Sequence, residues 1–262
     1  MAICAYCWND RELCASHSIP DGFFKAISRR NNGKLITIPG GAGQVHLSQD
    51  SGKADLLCEA CERLFNRRFD GPLVNAMKLW DRKIQQEGFS ARIAFSPNQM
   101  AQSLASIFWR ASVSGNDMYA HARVSMHDAN ALLSLVQGEE EAVLKLCSCS
   151  IRRLKDRRYK NHDGFTQDVV SQIIMPVSAH RLSWGRKKPT VYFGFSVVLQ
   201  GFLCHLAIPR LPASKRNAPG FLHPKDRHLH APPMHLLDYK PLMDSMVMGL
   251  AKHLDGQSTL KE

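Results

Sequence analysis

This chain of 262 residues has no apolar run long enough to cross a bilayer. Its most apolar stretch, residues 197–208, is short and carries Gln200 and His205, whereas a spanning helix needs about 20 apolar residues. The N-terminus lacks the basic start and long apolar run of a signal peptide, so a cytoplasmic protein is expected, with no membrane partner. A phosphate-binding glycine loop, a Gly-x-Ser-x-Gly elbow, internal repeats and coiled-coil heptads are also missing. That sets aside P-loop nucleotide hydrolases, the common serine hydrolases, solenoids and zippers. Apolar residues make up 44% of the chain, as in an ordinary globular protein, so one main body with a small appended module is the economical division.

Acidic residues are scarce in one place only. Residues 1–70 carry nine Lys/Arg against eight Asp/Glu, and residues 71–149 carry seven against seven. Residues 150–230 carry fifteen against four, and residues 231–262 are one negative, so the net charge of +11 lies in a single segment. Arg152, Arg153, Lys155, Arg157, Arg158 and Lys160 form a dense run there, followed by Arg186, Lys187 and Lys188. Such density suits neutralisation of phosphates with counterion release, which predicts a nucleic-acid partner. The competing reading is a solvated helix end, with Glu139, Glu140 and Glu141 at the start and the arginines at the finish, aligned with the helix dipole.

The cysteines are the most specific feature. Cys4 and Cys7, and again Cys58 and Cys61, stand as Cys-x-x-Cys pairs. Each pair can turn one tight loop onto a metal, and two brought together complete a tetrahedral sulfur site of the kind zinc favours. In a reducing compartment such thiols read as ligands for a structural Zn²⁺ and not as a disulfide framework. Cys14, Cys147 and Cys149 read as packed thiols, the last two on a helix. His223, His228, His230 and His235 sit in a proline-rich connector without regular ligand spacing.

Within residues 1–70 a strand from Leu13 delivers His17, Pro20 fixes the exit, and Phe23, Phe24 and Ile27 recur at helical spacing. A glycine-rich hairpin or loop follows, then a helix that Cys61 and Glu62 begin. Cys-x-x-Cys, then Ser16-His17-Ser18-Ile19-Pro20, then Leu57-Cys58-Glu59-Ala60-Cys61-Glu62 resembles the HNH endonuclease superfamily, with its treble-clef ββα-metal fold. Together with Ile107-Phe108-Trp109-Arg110-Ala111-Ser112, it is similar to bacterial and phage-associated HNH-like zinc proteins without a well-defined activity. The resemblance implies that His17 is the general base, with Glu62 and Asn66 as candidates to hold a second divalent ion, Mg²⁺ or Mn²⁺. The position before the histidine, an aspartate in that superfamily, is Ser16 here, and a hydroxyl is a poor ligand for a hard cation.

Beyond a break at Asp70-Gly71-Pro72, residues 73–87 read as a helix, Ser96-Pro97 as a strong helix start, and residues 128–137 and 139–155 as two more helices. Residues 190–198 and 202–208 read as a hairpin about Gln200-Gly201, and residues 241–254 as an amphipathic helix with Leu242, Met246 and Leu250 on one side. The expected fold class is α+β: a treble-clef-like zinc module over residues 1–70 and, over 71–262, a mainly helical body with a C-terminal hairpin and terminal helix. Three functions stay open. The first is a metal-dependent HNH-like DNA endonuclease in anti-phage or anti-plasmid defence. The second is a non-catalytic nucleic-acid-binding subunit of a larger RNA-guided or defence complex, with DNA favoured over RNA. The third is a protein-interaction module stapled by zinc.

Overall fold

The computed structural model describes residues 2–40, 42–158, 164–184 and 190–260. Lys160 and Arg186, Lys187 and Lys188 lie outside the described residues. Strands β1 (Ala2–Ile3) and β2 (Asp10–Arg11) pair antiparallel around the Cys4–Cys7 turn. Strand β3 (Leu13–His17) pairs antiparallel with β6 (Lys53–Cys58). Between them lie helix α1 (Asp21–Ser28), burying Phe23, Phe24 and Ile27, and a small hairpin of β4 (Leu35–Thr37) and β5 (His46–Ser48).

Helix α2 (Glu59–Phe65) begins directly after Cys58. The expected break at Asp70-Gly71-Pro72 is not a break. Residues Asn66–Asp70 form one π turn, and α3 (Gly71–Glu87) continues from it. Pro72 has no amide hydrogen and would leave a gap in an α ladder; the wider turn absorbs the gap, with the Gly71 N–H bonding the Asn66 carbonyl. After β7 (Arg92–Ile93) comes α4 (Pro97–Val113), started by Pro97 and by Ser96, whose Oγ accepts from the Gln99 N–H at 3.1 Å. Every residue of α4 from Met100 to Ser112 is buried, so this helix is the axle of the core. Helices α5 (Met126–Gln137) and α6 (Val143–Leu146) pack beside it.

The α+β class holds, but the body's second half is a sheet and not an addition to a helical bundle. The helix expected through residue 155 ends at Leu146, and β8 (Ser148–Lys155) replaces its basic end. Ser148, Ser150 and Arg152 alternate with Cys149, Ile151 and Arg153, a period of two that the neighbouring charge run obscures. After the short helix α7 (Gln167–Val170), β9 (Ile174–Trp184), β10 (Thr190–Leu199) and β11 (Phe202–Ile208) follow. A short helix α8 (Ala213–Arg216) and strand β12 (Leu229–His230), paired with β7, lead to β13 (Pro233–His235). The five-stranded order is β13-β8-β11-β10-β9, antiparallel except for β13 on β8. The β10–β11 hairpin turns through Gln200 at φ 50° and Gly201 at φ 75°, the two positive angles of a tight type I′ connection.

One face of this sheet meets the helices. Phe195 stacks on Phe108 with centroids 5.6 Å apart, and Phe202 lies 5.3 Å from Trp80. The opposite face is half covered by the final helix α9 (Lys240–Leu254) and the turn before it, where Leu236, Tyr239 and Leu242 meet Leu154, Val198 and Leu203. Leu242 is buried and Met246 half-buried, but Leu250 is 59% exposed, so the expected apolar stripe is covered only at its start. Among the described residues no helix is long and apolar enough to cross a membrane.

Candidate metal centre and basic surface

The two Cys-x-x-Cys pairs converge. The Sγ atoms of Cys4, Cys7, Cys58 and Cys61 all lie within 4.8 Å of one another, and Cys7 and Cys58 are 3.8 Å apart. That separation is far beyond the ~2.05 Å of a disulfide, and all four cysteines are free. Local backbone geometry explains the convergence. The Cys4–Cys7 turn closes through Trp8 N–H to the Cys4 carbonyl at 2.9 Å, with Trp8 at φ 62°. Ala5 N–H then bonds the Leu56 carbonyl at 3.1 Å, which sets the turn against the end of β6. The second pair straddles the junction of β6 and α2, so Cys61 falls in the first helical turn.

The Cys58 N–H donates to Cys4 Sγ at 3.3 Å, which orients a sulfur and favours its thiolate. Burial pushes the Cys4 thiol up, but backbone hydrogen bonds from Cys7, Cys58 and Tyr6 outweigh it and bring the group down to about 7. A set of this kind can hold a metal ion. Among the described residues it is the group of three or more His, Cys, Asp or Glu side chains that does so. His223, His228, His230 and His235 do not gather into a second one: His230 bonds the Phe89 carbonyl and His235 the Lys155 carbonyl. Burial pushes the Cys147 thiol up to about 12 and that of Cys149 well above its usual range, which fits packed, unreactive thiols at the end of α6 and within β8.

His17 ends β3, its side chain 13% exposed. Its Nε2 lies 2.9 Å from Ser51 Oγ and 3.5 Å from Asp21 Oδ1, and Nδ1 has no partner among the described residues. Burial lowers its pKa, Asp21 and Glu62 pull it up, and Lys53 and Arg110 push it down. A neutral imidazole with one free nitrogen can accept a proton. Ser16 is 1% exposed: its Oγ donates to the Cys14 carbonyl and accepts from the Leu57 N–H, both at 3.3 Å. It is a clip between β3 and β6. Asn66 Nδ2 donates to Glu62 Oε1 at 3.3 Å, while Glu62 Oε2 is buried with no hydrogen-bond partner among the described residues.

Beneath His17 lies a buried network. Arg110, fully buried on α4, grips Asp70 through both carboxylate oxygens at 2.9 and 2.5 Å, bonds the His17 carbonyl at 2.8 Å and the Ser106 carbonyl at 3.3 Å, and faces the Phe65 ring. Trp109 is 2% exposed and packs 5.6 Å from Phe65. The Phe108-Trp109-Arg110 stretch therefore belongs to the core and strap of the metal lobe. Neither Trp109 nor Arg110 is placed to stack on a base.

The basic run divides by strand parity. Arg153 is fully buried: it pairs with Asp81, bonds the Gln200 carbonyl and Ser171 Oγ, and lies 4.3 Å over the Phe202 ring. It is a structural residue tying β8 to α3, and it leaves the expected nucleic-acid surface. Lys155 is half-buried over the Phe89 ring, Arg152 is half-buried on the other face of the strand, and Arg157 and Arg158 are exposed. Sequence reasoning missed Arg181 on β9, which is exposed, and Trp8, which is 60% exposed at the tip of the cysteine turn. No periodicity marks either. Comparison with known proteins brings no match: no family model, no curated protein and no solved structure matches this chain.

Proposed function

We propose that this chain is a zinc-stapled, HNH-like protein whose function is to bind nucleic acid, DNA before RNA, through exposed arginines at two basic edges of the sheet, the turn after β8 and, three strands away toward the other end, the edge strand β9. One observation carries the binding. Of the four acids in residues 150–230, Asp163 lies outside the described residues, Asp168 pairs with Arg30 from α1, Asp156 accepts the backbone N–H groups of Arg158 and Phe165, and Asp226 accepts the His223 N–H. Among the described residues no carboxylate lies within ion-pair distance of Arg157, Arg158 or Arg181. Arg157 and Arg158 are exposed, with Asp156 in electrostatic reach of Arg158, and Arg181 is exposed beside the Phe193 ring, so a polyanion can approach all three.

Zinc is supported by the size of the sulfur group. A tetrahedral ion with ~2.3 Å metal–sulfur bonds needs sulfurs about 3.75 Å apart; Cys7 and Cys58 stand at 3.8 Å, in a group whose four sulfurs lie within 4.8 Å of one another. The order of cysteine turn, antiparallel β3–β6 pair and α2 supports the HNH-like reading, with His17 at the strand end and Glu62 on the helix. Arg157→Ala/Arg158→Ala/Arg181→Ala should weaken binding to duplex DNA by at least tenfold at low salt. It should also reduce the slope of log K against log salt by about 0.9 for each phosphate that is no longer neutralised. Unchanged affinity and slope would sink the reading. Arg153 stays out of the variant, because its replacement would test stability instead.

A second reading rests on Glu62, whose buried Oε2 lacks a partner and whose charge reaches His17. If a divalent ion docks there, His17 takes a proton from water and the protein nicks DNA in Mg²⁺ or Mn²⁺. In that case His17→Ala abolishes cutting while leaving the cysteine-bound metal in place. The structural role of Ser16 makes binding without cleavage the first reading. Absence of cutting with either ion and with single- and double-stranded substrates would eliminate the second.

A further inference from the structure

The outer face of the five-stranded sheet holds a groove that the metal centre and the basic edges do not use. Side chains alternate across the strands, so one face collects Ser148, Ser150 and Arg152 from β8, His205 and Ala207 from β11, Gly194 from β10, and His180 and Leu182 from β9. The register sets Gly194 opposite His180 and Ala207, and His205 opposite Ser150. Gly194 forms the floor: a Cβ there would stand 2.3 Å from the His180 ring nitrogen. The imidazole leans over space that any other residue would fill. The cavity measures about 300 Å³, near the lower limit for a small-molecule site, and Leu182, Leu211 and Phe221 in its lining pack together with Tyr192 and Ala207.

Two properties of this cavity point to its ligand. The first is charge: its lining holds Arg152, His180 and His205 and no Asp or Glu. Burial, with His180 and Arg152 adding to it, holds the His205 imidazole down to about 4, as expected where positive groups share a site without a counter-anion. The second is unspent hydrogen-bonding capacity. Among the described residues the Ser150 hydroxyl, the Arg152 guanidinium and the His180 and His205 rings make no hydrogen bond, and Ser148 Oγ only accepts, from the Leu211 N–H at 2.9 Å. Their polar atoms still reach solvent, and His180 is exposed, so this capacity is open to a ligand. Here several face one small volume, flanked by the apolar Leu182, Leu211 and Phe221.

We infer that this groove is a phosphate-binding site sized for one nucleotide, in which Arg152, Ser150, Ser148 and His205 hold a phosphoryl group and Leu182, Leu211 and Phe221 take the flat base. A phosphoryl group offers several acceptor oxygens to donors arriving from different strands, and Arg152 supplies the charge. The inference deepens the nucleic-acid reading without depending on the basic edges, because Arg157, Arg158 and Arg181 do not line the groove.

Binding of adenosine 5′-monophosphate, adenosine and inorganic phosphate to the full chain, measured by calorimetry, tests it. The monophosphate should bind at least tenfold more tightly than adenosine, and inorganic phosphate should compete with it. Arg152→Gln and, separately, Ser150→Ala should each weaken the monophosphate at least fivefold, whereas Lys78→Ala, at an exposed lysine of α3 that does not line the groove, should leave it unchanged. Ser150→Ala, the smaller change, carries the test if Arg152→Gln disturbs folding. Competition by a 5′-phosphorylated oligonucleotide and not by its unphosphorylated twin would identify a strand end as the source. Competition by neither would identify a free nucleotide. Equal affinity for adenosine and its monophosphate, or parent-like affinity in both variants, overturns the site even if the basic edges bind DNA as proposed.

Discussion

Cys58→Ser is expected to cost the protein its metal and, with it, the fold of the first lobe. Metal analysis of the parent chain should return about one zinc per chain, and the variant should return none. Structural zinc in small domains contributes apparent free energies of about 10–16 kcal/mol at neutral pH, as large as the whole stability of an ordinary domain at ~5–15 kcal/mol. The effect falls on particular bonds. Cys58 ends β6, and its N–H meets Cys4 Sγ, so removing the centre frees the Cys4–Cys7 turn and the β3–β6 pairing together. Amide exchange should therefore accelerate across residues 4–17 and 53–61 before it does in β10 and β11. A variant that folds with an unchanged thermal midpoint and unchanged exchange in β3 would show that the four thiols only pack.

The second large effect is at Asp70. Replacing it with alanine leaves the Arg110 guanidinium fully buried without its carboxylate, a destabilisation of about 3–5 kcal/mol. For a chain of this size that is a fall of about 6–20 °C in thermal midpoint. The joint replacement Asp70→Leu/Arg110→Met should cost less than Asp70→Ala alone, because no orphaned charge remains. Equal destabilisation in the single and double variants would mean that the pair contributes only packing volume. His17 supplies a local readout: its carbonyl accepts from Arg110 at 2.8 Å, so the imidazole resonances should shift in Asp70→Ala.

Much of this architecture is legible in residue order. Cys4, Cys7, Cys58 and Cys61 are recognisable because tetrahedral coordination imposes a spacing that chance seldom repeats. Ser96-Pro97 and Gln200-Gly201 are recognisable because a helix start and a tight hairpin need those residue types locally. What stays hidden depends on distant partners. Arg153 looks like its neighbours in the basic run, and only Asp81, seventy-two positions away, makes it a core residue. Strand β8 is concealed for the same reason, since a buried arginine breaks the alternation that would announce it. Ser16 resembles a damaged catalytic position, but its hydroxyl joins two strands that are forty residues apart in the chain. The groove residues come from four strands, so their grouping exists only once the sheet has formed.

Helices α2 and α3 and the π turn between them form one rod from Glu59 to Glu87, about 40 Å long at 1.5 Å per residue. Near one end Cys61 stands in the four-cysteine group; toward the other Trp80 and Asp81 bear on Phe202 and Arg153 of the sheet. Asp70, held by Arg110, is a bearing between them. Cys61 and the Trp80–Asp81 contacts therefore share one unbroken helical backbone, with the π turn beside the bearing as the segment of wider winding between them.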